Sequence, residues 1–253
     1  MLNDAMPTAG SRCGASAEFG VWWCSPPEGV AGPPWLTIVF LHGIGEAGDG
    51  SAESLEKIAY GAGLPREVAQ RDDGTLNDPE LFPFLVVAPQ SVSAWRDETE
   101  RASVVGLTRR LREAGLVHGR ALLTGFSFGG DAVWRVASRR DADFAAIVSV
   151  ASEDPPDPAP IARGLATVPV WIGLRTDDQY ASRSRAPLRL IQELRSLGNH
   201  DVEVRGYEDP LPEDWGGTSH SYAAREAFTD AELYEWLRRH GDPNRGEPTL
   251  TGF

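Results

Sequence analysis

Ser127 is the residue of this chain best placed to attack a carbonyl carbon. It lies in Gly125-Phe126-Ser127-Phe128-Gly129-Gly130, with an apolar run upstream at 121–124 and helix-forming residues downstream at 131–137. A serine on a tight strand-to-helix turn holds its hydroxyl out at the carboxyl end of a sheet. Glycines flank it because such a turn brings neighbouring backbone too close for a Cβ. The same turn aims the first helical N–H groups, that of Phe128 among them, at the place where an oxyanion would form.

A serine hydroxyl is a poor nucleophile until an imidazole takes its proton and a carboxylate fixes the tautomer of that imidazole. The chain has five histidines: His42, His118, His200, His220 and His240. In a parallel sheet with an elbow serine the partners follow in the order serine, acid, histidine, each after a later strand. His220 fits that order. It follows the segment 202–207 and is expected in the Gly/Ser-rich loop 215–221, just before the final helix. His118 and His200 precede their strands, and His240 ends the last helix, where the dipole favours a solvated cation. The acid is expected just after 168–174, where Asp177 and Asp178 both qualify and point in different directions. One orients His220; the other faces solvent or caps a turn. The glycine-rich loop 42–48 lacks the spacing of a phosphate-binding loop. It is read instead as the second oxyanion arm, with the N–H of Ile44 as donor and the His42 side chain shaping the loop.

Positioning these groups takes a sheet. Apolar segments at 19–24, 36–41, 84–88, 121–124, 145–150, 168–174 and 202–207 read as strands, several of them continuous runs suited to strands covered on both faces. Between them Val104, Leu107, Leu111 and Ala114, and later Leu188, Ile191, Leu194 and Leu197, give helices one apolar face. The alternation predicts an α/β fold, a mostly parallel central sheet flanked by helices on both faces, with ligands bound beyond the strands' carboxyl ends and no large lid. Residues 1–17 are expected as a flexible tail, 18–241 as one domain and 242–253 as a second tail. The polar stretch 71–79 reads as a loop, and the prolines of 153–160 are expected to exclude a helix there.

At 253 residues and 27.4 kDa, with 41% apolar side chains, the chain is long enough for one well-buried core. Its net charge of −13 disfavours nucleic acid as a partner, and no apolar run is long enough for a membrane span. The first residues lack the basic start and apolar core of a secretory signal, so a cytoplasmic protein is expected. Cys13 and Cys24 then read as two incidental reduced thiols. Trp22, Trp23, Trp35, Trp134, Trp171 and Trp236 are expected in the core, whereas Trp95 and Trp215, in loops on the active-site side, are candidate pocket walls.

Five segments in order resemble the α/β-hydrolases of the phospholipase/carboxylesterase and predicted-peptidase type, relatives of dienelactone hydrolase and of polyester-depolymerising esterases. They are Phe40-Leu41-His42-Gly43-Ile44-Gly45-Glu46; Val86-Val87-Ala88-Pro89-Gln90 with Trp95; the Ser127 elbow with Trp134; Val168-Pro169-Val170-Trp171-Ile172; and Ser219-His220 with residues 232–237. The resemblance covers roughly residues 33 to 240. The resemblance implies a serine esterase with Ser127, Asp178 and His220 as triad and Ile44 and Phe128 as oxyanion donors. No metal or organic cofactor is implied, and the partner is a small-molecule ester. Counting without gaps from Pro169 gives Asp178, and a one-residue slip gives Asp177. Three departures stand out. Leu174 and Arg175 replace the family's His-Gly, Asp131 stands where a neutral or aromatic residue is usual, and Glu153 with Asp154 makes one pocket wall acidic, which would favour a cationic substrate. An amidase or peptidase with the same triad, and a non-catalytic binding protein on this scaffold, are the rival readings.

Overall fold

The structure, a computed structural model, describes residues 13–70 and 75–242. Its frame is one eight-stranded sheet: β1 (Cys13–Ser16), β2 (Val21–Cys24), β3 (Leu36–Leu41), β4 (Phe84–Pro89), β5 (Ala121–Phe126), β6 (Phe144–Val150), β7 (Val170–Arg175) and β8 (Val202–Tyr207). The spatial order is β1-β2-β4-β3-β5-β6-β7-β8. β1 and β2 run antiparallel to their neighbours, and every pair from β4 to β8 is parallel.

Eight α-helices accompany the sheet among the described residues: α1 (Ala52–Tyr60), α2 (Leu64–Ala69), α3 (Glu98–Glu113), α4 (Phe128–Ala137), α5 (Pro158–Gly164), α6 (Leu188–Ser196), α7 (Ser219–Thr229) and α8 (Ala231–Gly241). The two faces of the sheet carry separate cores because side chains alternate along each strand. On β3, Val39 and Leu41 join one cluster with residues of α3, α4 and α6, while Ile38 and Phe40 join another with α1, α2, α7 and α8. Both faces are thus covered, which explains the continuous apolar runs of the central strands.

Four expectations need correction. Residues 13–16 are not tail but β1, paired with β2, and only 1–12 lie outside the described residues. Cys13 and Cys24 stand opposite each other in that pairing and form a disulfide rather than two free thiols. Disulfides persist in oxidising compartments, so the bond speaks against the reducing surroundings from which free thiols were inferred. Prolines do not exclude a helix after β6: α5 starts at Pro158, because a proline in the first turn forfeits only an N–H that has no partner there. Finally, His220 sits in the first turn of α7, not in a loop before it. Of the polar loop 71–79, residues 71–74 lie outside the described residues, as do 243–253 of the second tail. Among the described residues no helix is long and apolar enough to cross a membrane.

Candidate active site

β3 and β5 are neighbours, with Leu41 opposite Gly125, so the segments leaving their carboxyl ends emerge side by side. The β5 turn is sharp. Ser127 adopts φ 57° and ψ −119°, a left-handed conformation that costs a non-glycine residue roughly 1–3 kcal/mol. The surroundings hold it there: its N–H donates to the Val150 carbonyl at 2.9 Å, and its carbonyl accepts from the Asp131 N–H at 2.9 Å. A Cβ on Gly129 would fall on the Leu41 carbonyl, and one on Gly125 on the Gly129 carbonyl. Only glycine lets strand, turn and helix approach this closely.

His220 reaches the serine from α7. Thr218 caps that helix, its hydroxyl accepting from the Ser221 N–H while the Ser221 hydroxyl accepts from the Thr218 N–H. The cap fixes the first turn and with it the imidazole. Nε2 lies 2.9 Å from Ser127 Oγ, and Nδ1 lies 2.6 Å from Asp178 Oδ2. With an ionised Asp178, Nδ1 carries the proton and Nε2 keeps its lone pair for the hydroxyl. The Asp178 carboxylate is fully buried, and its other oxygen accepts from the Tyr180 N–H at 2.8 Å. The imidazole is held between Phe126, at 4.7 Å, and the edge-on Tyr180, at 4.8 Å.

The neighbouring aspartate has another partner. Arg175 Nε and Nη2 donate to the two oxygens of Asp177 at 2.7 and 2.9 Å. The same guanidinium donates to Glu226 on α7 at 2.5 Å and to the Asp209 carbonyl at 2.9 Å. Its hydrogen bonds hold the Asp177 carboxyl below the usual range, while burial pushes Glu226 up. The departure at Arg175 therefore turns Asp177 away and leaves Asp178 to the imidazole.

The β3 loop is fixed from behind. His42 is fully buried, with Nδ1 donating to the Gly43 carbonyl at 2.6 Å and Nε2 accepting from the Ser91 N–H at 2.9 Å. Burial lowers its pKa to about 4, so the ring is neutral at neutral pH. The loop continues as one 3-10 turn, Ile44–Glu46. Glu46 folds back beneath it, its buried carboxylate accepting from the Ala62 N–H at 3.0 Å, and burial raises its pKa. Ile44 and Phe128 are each the first residue of a helical turn, where N–H groups have no carbonyl partner within the turn.

Between these loops lies a cavity of about 320 Å³ lined by Gly43 to Glu46, Ser127, Phe128 and His220, and closed by Glu153, Tyr180 and Arg183. Five residues singled out in the sequence, Ile44, Ser127, Phe128, Asp178 and His220, meet here, Asp178 directly behind the imidazole. The two tryptophans expected as walls do not line this cavity. Trp95 is buried behind the β3 loop, its indole N–H donating to the His42 carbonyl at 2.9 Å. Trp215 packs edge-on against Tyr222, with the guanidinium groups of Arg66 and Arg225 near its ring. Both loops lie on the expected side of the sheet, but backbone hydrogen bonding and cation contact take the indoles elsewhere.

Of the acidic pair after β6, Glu153 lines the cavity, whereas Asp154 accepts from the N–H groups of Arg189 and Leu190 and caps α6. Glu46, Tyr180 and Arg183 were not anticipated. Glu46 had a signal, since a glutamate three residues past a turn's first flanking residue commonly folds back onto it. Arg183 had none: its partner Asp131 lies 52 residues away.

No family model and no curated protein sequence matches the chain. Solved structures do. A thermostable esterase superposes with a TM-score of 0.61 at 19% identity, covering 92% of this chain and 62% of its own. The esterase PE8 gives 0.55 at 16% identity, covering 91% of this chain and 100% of its own. The chain has the α/β-hydrolase fold. An acylaminoacyl peptidase from Pyrococcus horikoshii gives 0.54 at 16% identity, with 92% of this chain covered. This chain spans only 40% of that α/β-hydrolase and less than two thirds of the thermostable esterase.

Proposed function

We propose that this α/β-hydrolase is a serine hydrolase that cleaves a carboxylic ester of a small or medium substrate through an acyl-enzyme. The observation carrying this reading is the unbroken chain Ser127 Oγ, His220 Nε2, His220 Nδ1, Asp178 Oδ2, with steps of 2.9 and 2.6 Å around one imidazole. Ser127 Oγ attacks the carbonyl carbon while its proton passes to Nε2, and Asp178 stabilises the imidazolium. The N–H groups of Ile44 and Phe128 receive the oxyanion. Collapse of the tetrahedral intermediate breaks the bond to the alkoxide, which takes the proton from Nε2. A water molecule then repeats the sequence on the acyl-enzyme and frees the acid and the serine.

Ester cleavage is favoured over amide cleavage by the esterase neighbours. The peptidase neighbour supports the amide alternative, which uses the same triad. Replacing Ser127 by Ala tests the common step: hydrolysis of p-nitrophenyl esters falls on the order of 10⁶-fold and fluorophosphonate labelling disappears. Retained turnover in that variant would sink the proposal. An active wild type that cleaves aminoacyl p-nitroanilides faster than the matched esters would move it to the amidase reading.

A further inference from the structure

Beyond Phe128 the cavity has a neighbour with a different charge. A second cavity of about 220 Å³ shares Phe128 with the first and is lined by Ala94, Trp95, Arg96, Arg101, Asp131 and Arg135. Arg96 and Arg135 are exposed and, like Arg109 and Arg110 elsewhere on the surface, have no carboxylate partner among the described residues; what sets them apart is that they share one cavity beside the first. The acids nearby are all engaged. Glu98 bonds to Arg101 and Arg139, Asp97 caps α3, and Glu100 accepts from Ser91, Ser93 and the Val92 N–H. Asp131 is held through both oxygens by Arg183. Arg101 spends its donors on Glu98 and on the carbonyls of Trp95 and Arg96. Among the described residues, neither Arg96 nor Arg135 has a carboxylate within ion-pair distance.

The backbone that carries the exposed Arg96 side chain is held in place. Two consecutive left-handed residues, Ala94 at φ 52° and Trp95 at φ 67°, turn the chain into Arg96. That strain is sustained by the Trp95 N–H donating to Ser91 Oγ at 2.7 Å, by the indole bond to His42, and by Arg101 beneath both carbonyls. The Arg96 guanidinium lies 4.9 Å over the Phe128 ring, whose backbone begins the helix that carries the nucleophile. The first cavity differs: its Glu153 accepts from the Ser182 hydroxyl and stands 3.5 Å from Arg183. The acids facing the reacting bond have partners, and two of the cations one ring away do not.

Resting on the serine-hydrolase reading, we propose that this basic cavity binds a carboxylate carried by the ester substrate, on the far side of Phe128 from the scissile bond. A planar guanidinium pairs with a planar carboxylate through two parallel hydrogen bonds, which a neutral chain end cannot form.

Two substrate sets test it. One is p-nitrophenyl monoesters of dicarboxylic acids from succinate to adipate, each beside the uncharged acyl ester of equal length. The other is acetylated hydroxybenzoate beside its amide, which puts the charge on the leaving group. In at least one set the wild type is expected to favour the charged member in kcat/KM, mainly through KM. That ratio falls about tenfold in Arg96→Ala and again in Arg135→Ala, less in Arg96→Lys, and shrinks as salt is added. A protein that labels at Ser127 yet shows no charge preference in either set, or whose ratio ignores both arginines, overturns the subsite and leaves the hydrolase reading standing. A protein that neither labels nor cleaves any ester fails the hydrolase reading instead. Calorimetry with glutarate then decides the subsite: binding by the wild type but not by the double variant upholds it, and no binding by the wild type removes it.

Discussion

Two arginines flank the hydrogen-bonded chain of Ser127, His220 and Asp178 in matching company. Arg175 meets two carboxylates, Asp177 and Glu226, one backbone carbonyl, that of Asp209, and one ring, Tyr222, 5.3 Å from its guanidinium carbon. Arg183 likewise meets Asp131 and Glu153, the Ala151 carbonyl, and the Phe128 ring at 5.3 Å. The parts are the same but the positions differ. Arg175 lies behind the acid and the imidazole, joining the end of β7, the segment before α7, and α7 itself. Arg183 lies in the cavity wall, joining α4 to the segment after β6. One cluster ties together the elements that carry Asp178 and His220, and the other forms part of the cavity wall beside Ser127. This site thus holds charge in two separate places, and burial of an ion pair does not by itself tell them apart.

The largest effect that would break this comparison is at the two adjacent aspartates. Asp178→Asn is expected to lower kcat about 10⁴-fold, because an amide no longer favours the Nδ1–H tautomer. Asp177→Asn leaves that hydrogen bond in place and is expected to cost less than tenfold. Ester hydrolysis under saturating substrate reads both, and the reverse ranking would mean that Arg175 does not select between them. Next in size is Arg175→Ala. It leaves Glu226, with a side chain only 9% exposed and one oxygen without a partner, as a buried uncompensated charge. The expected loss is about 3–5 kcal/mol in urea unfolding. A loss near zero would show that the cluster is dispensable and that the acid is held by its own turn.

Much of this frame was readable from residue types alone. Strands β3 to β7 announced themselves because central parallel strands are apolar on both faces, whereas the edge strand β8, mostly exposed, showed only alternating valines; β3 and β8 begin and end where the pattern does. The elbow was readable because its pattern of glycines around a serine is set in part by the turn itself, where a Cβ on Gly125 would fall on the Gly129 carbonyl. β1 was not: four residues, one with a buried side chain, owe their strand to pairing with β2 and to the Cys13–Cys24 bond, which no local pattern displays. α1 and α2 were passed over for a similar reason, since short helices of mixed composition gain most of their stability from packing. Asp177 and Asp178 could not be separated by spacing, because the choice depends on Arg175 meeting Glu226 across 51 positions. Long-range charge pairing was the part that sequence pattern did not carry.

Arg183→Ala sharpens the comparison most finely, with the smallest effect. Its partners keep some solvent, Asp131 with a side chain 27% exposed and Glu153 with 48%, so the expected destabilisation at neutral pH is about 1–2 kcal/mol. Its pH dependence identifies the cause. Burial holds the Asp131 pKa above its ordinary value, and Arg183 pulls it back down. A folded-state pKa above the unfolded one means that the folded chain keeps a proton the unfolded chain has released, so stability falls as pH rises through that interval. Without Arg183 the folded value climbs further, and the interval over which stability is lost extends upward. The difference between wild type and variant is therefore small at about pH 3.5, where both states hold the proton, and grows toward about pH 7. Urea unfolding at the two pH values measures it. A difference that stays constant across them would assign Arg183 to packing on Phe128 rather than to charge, and the two clusters would no longer be counterparts.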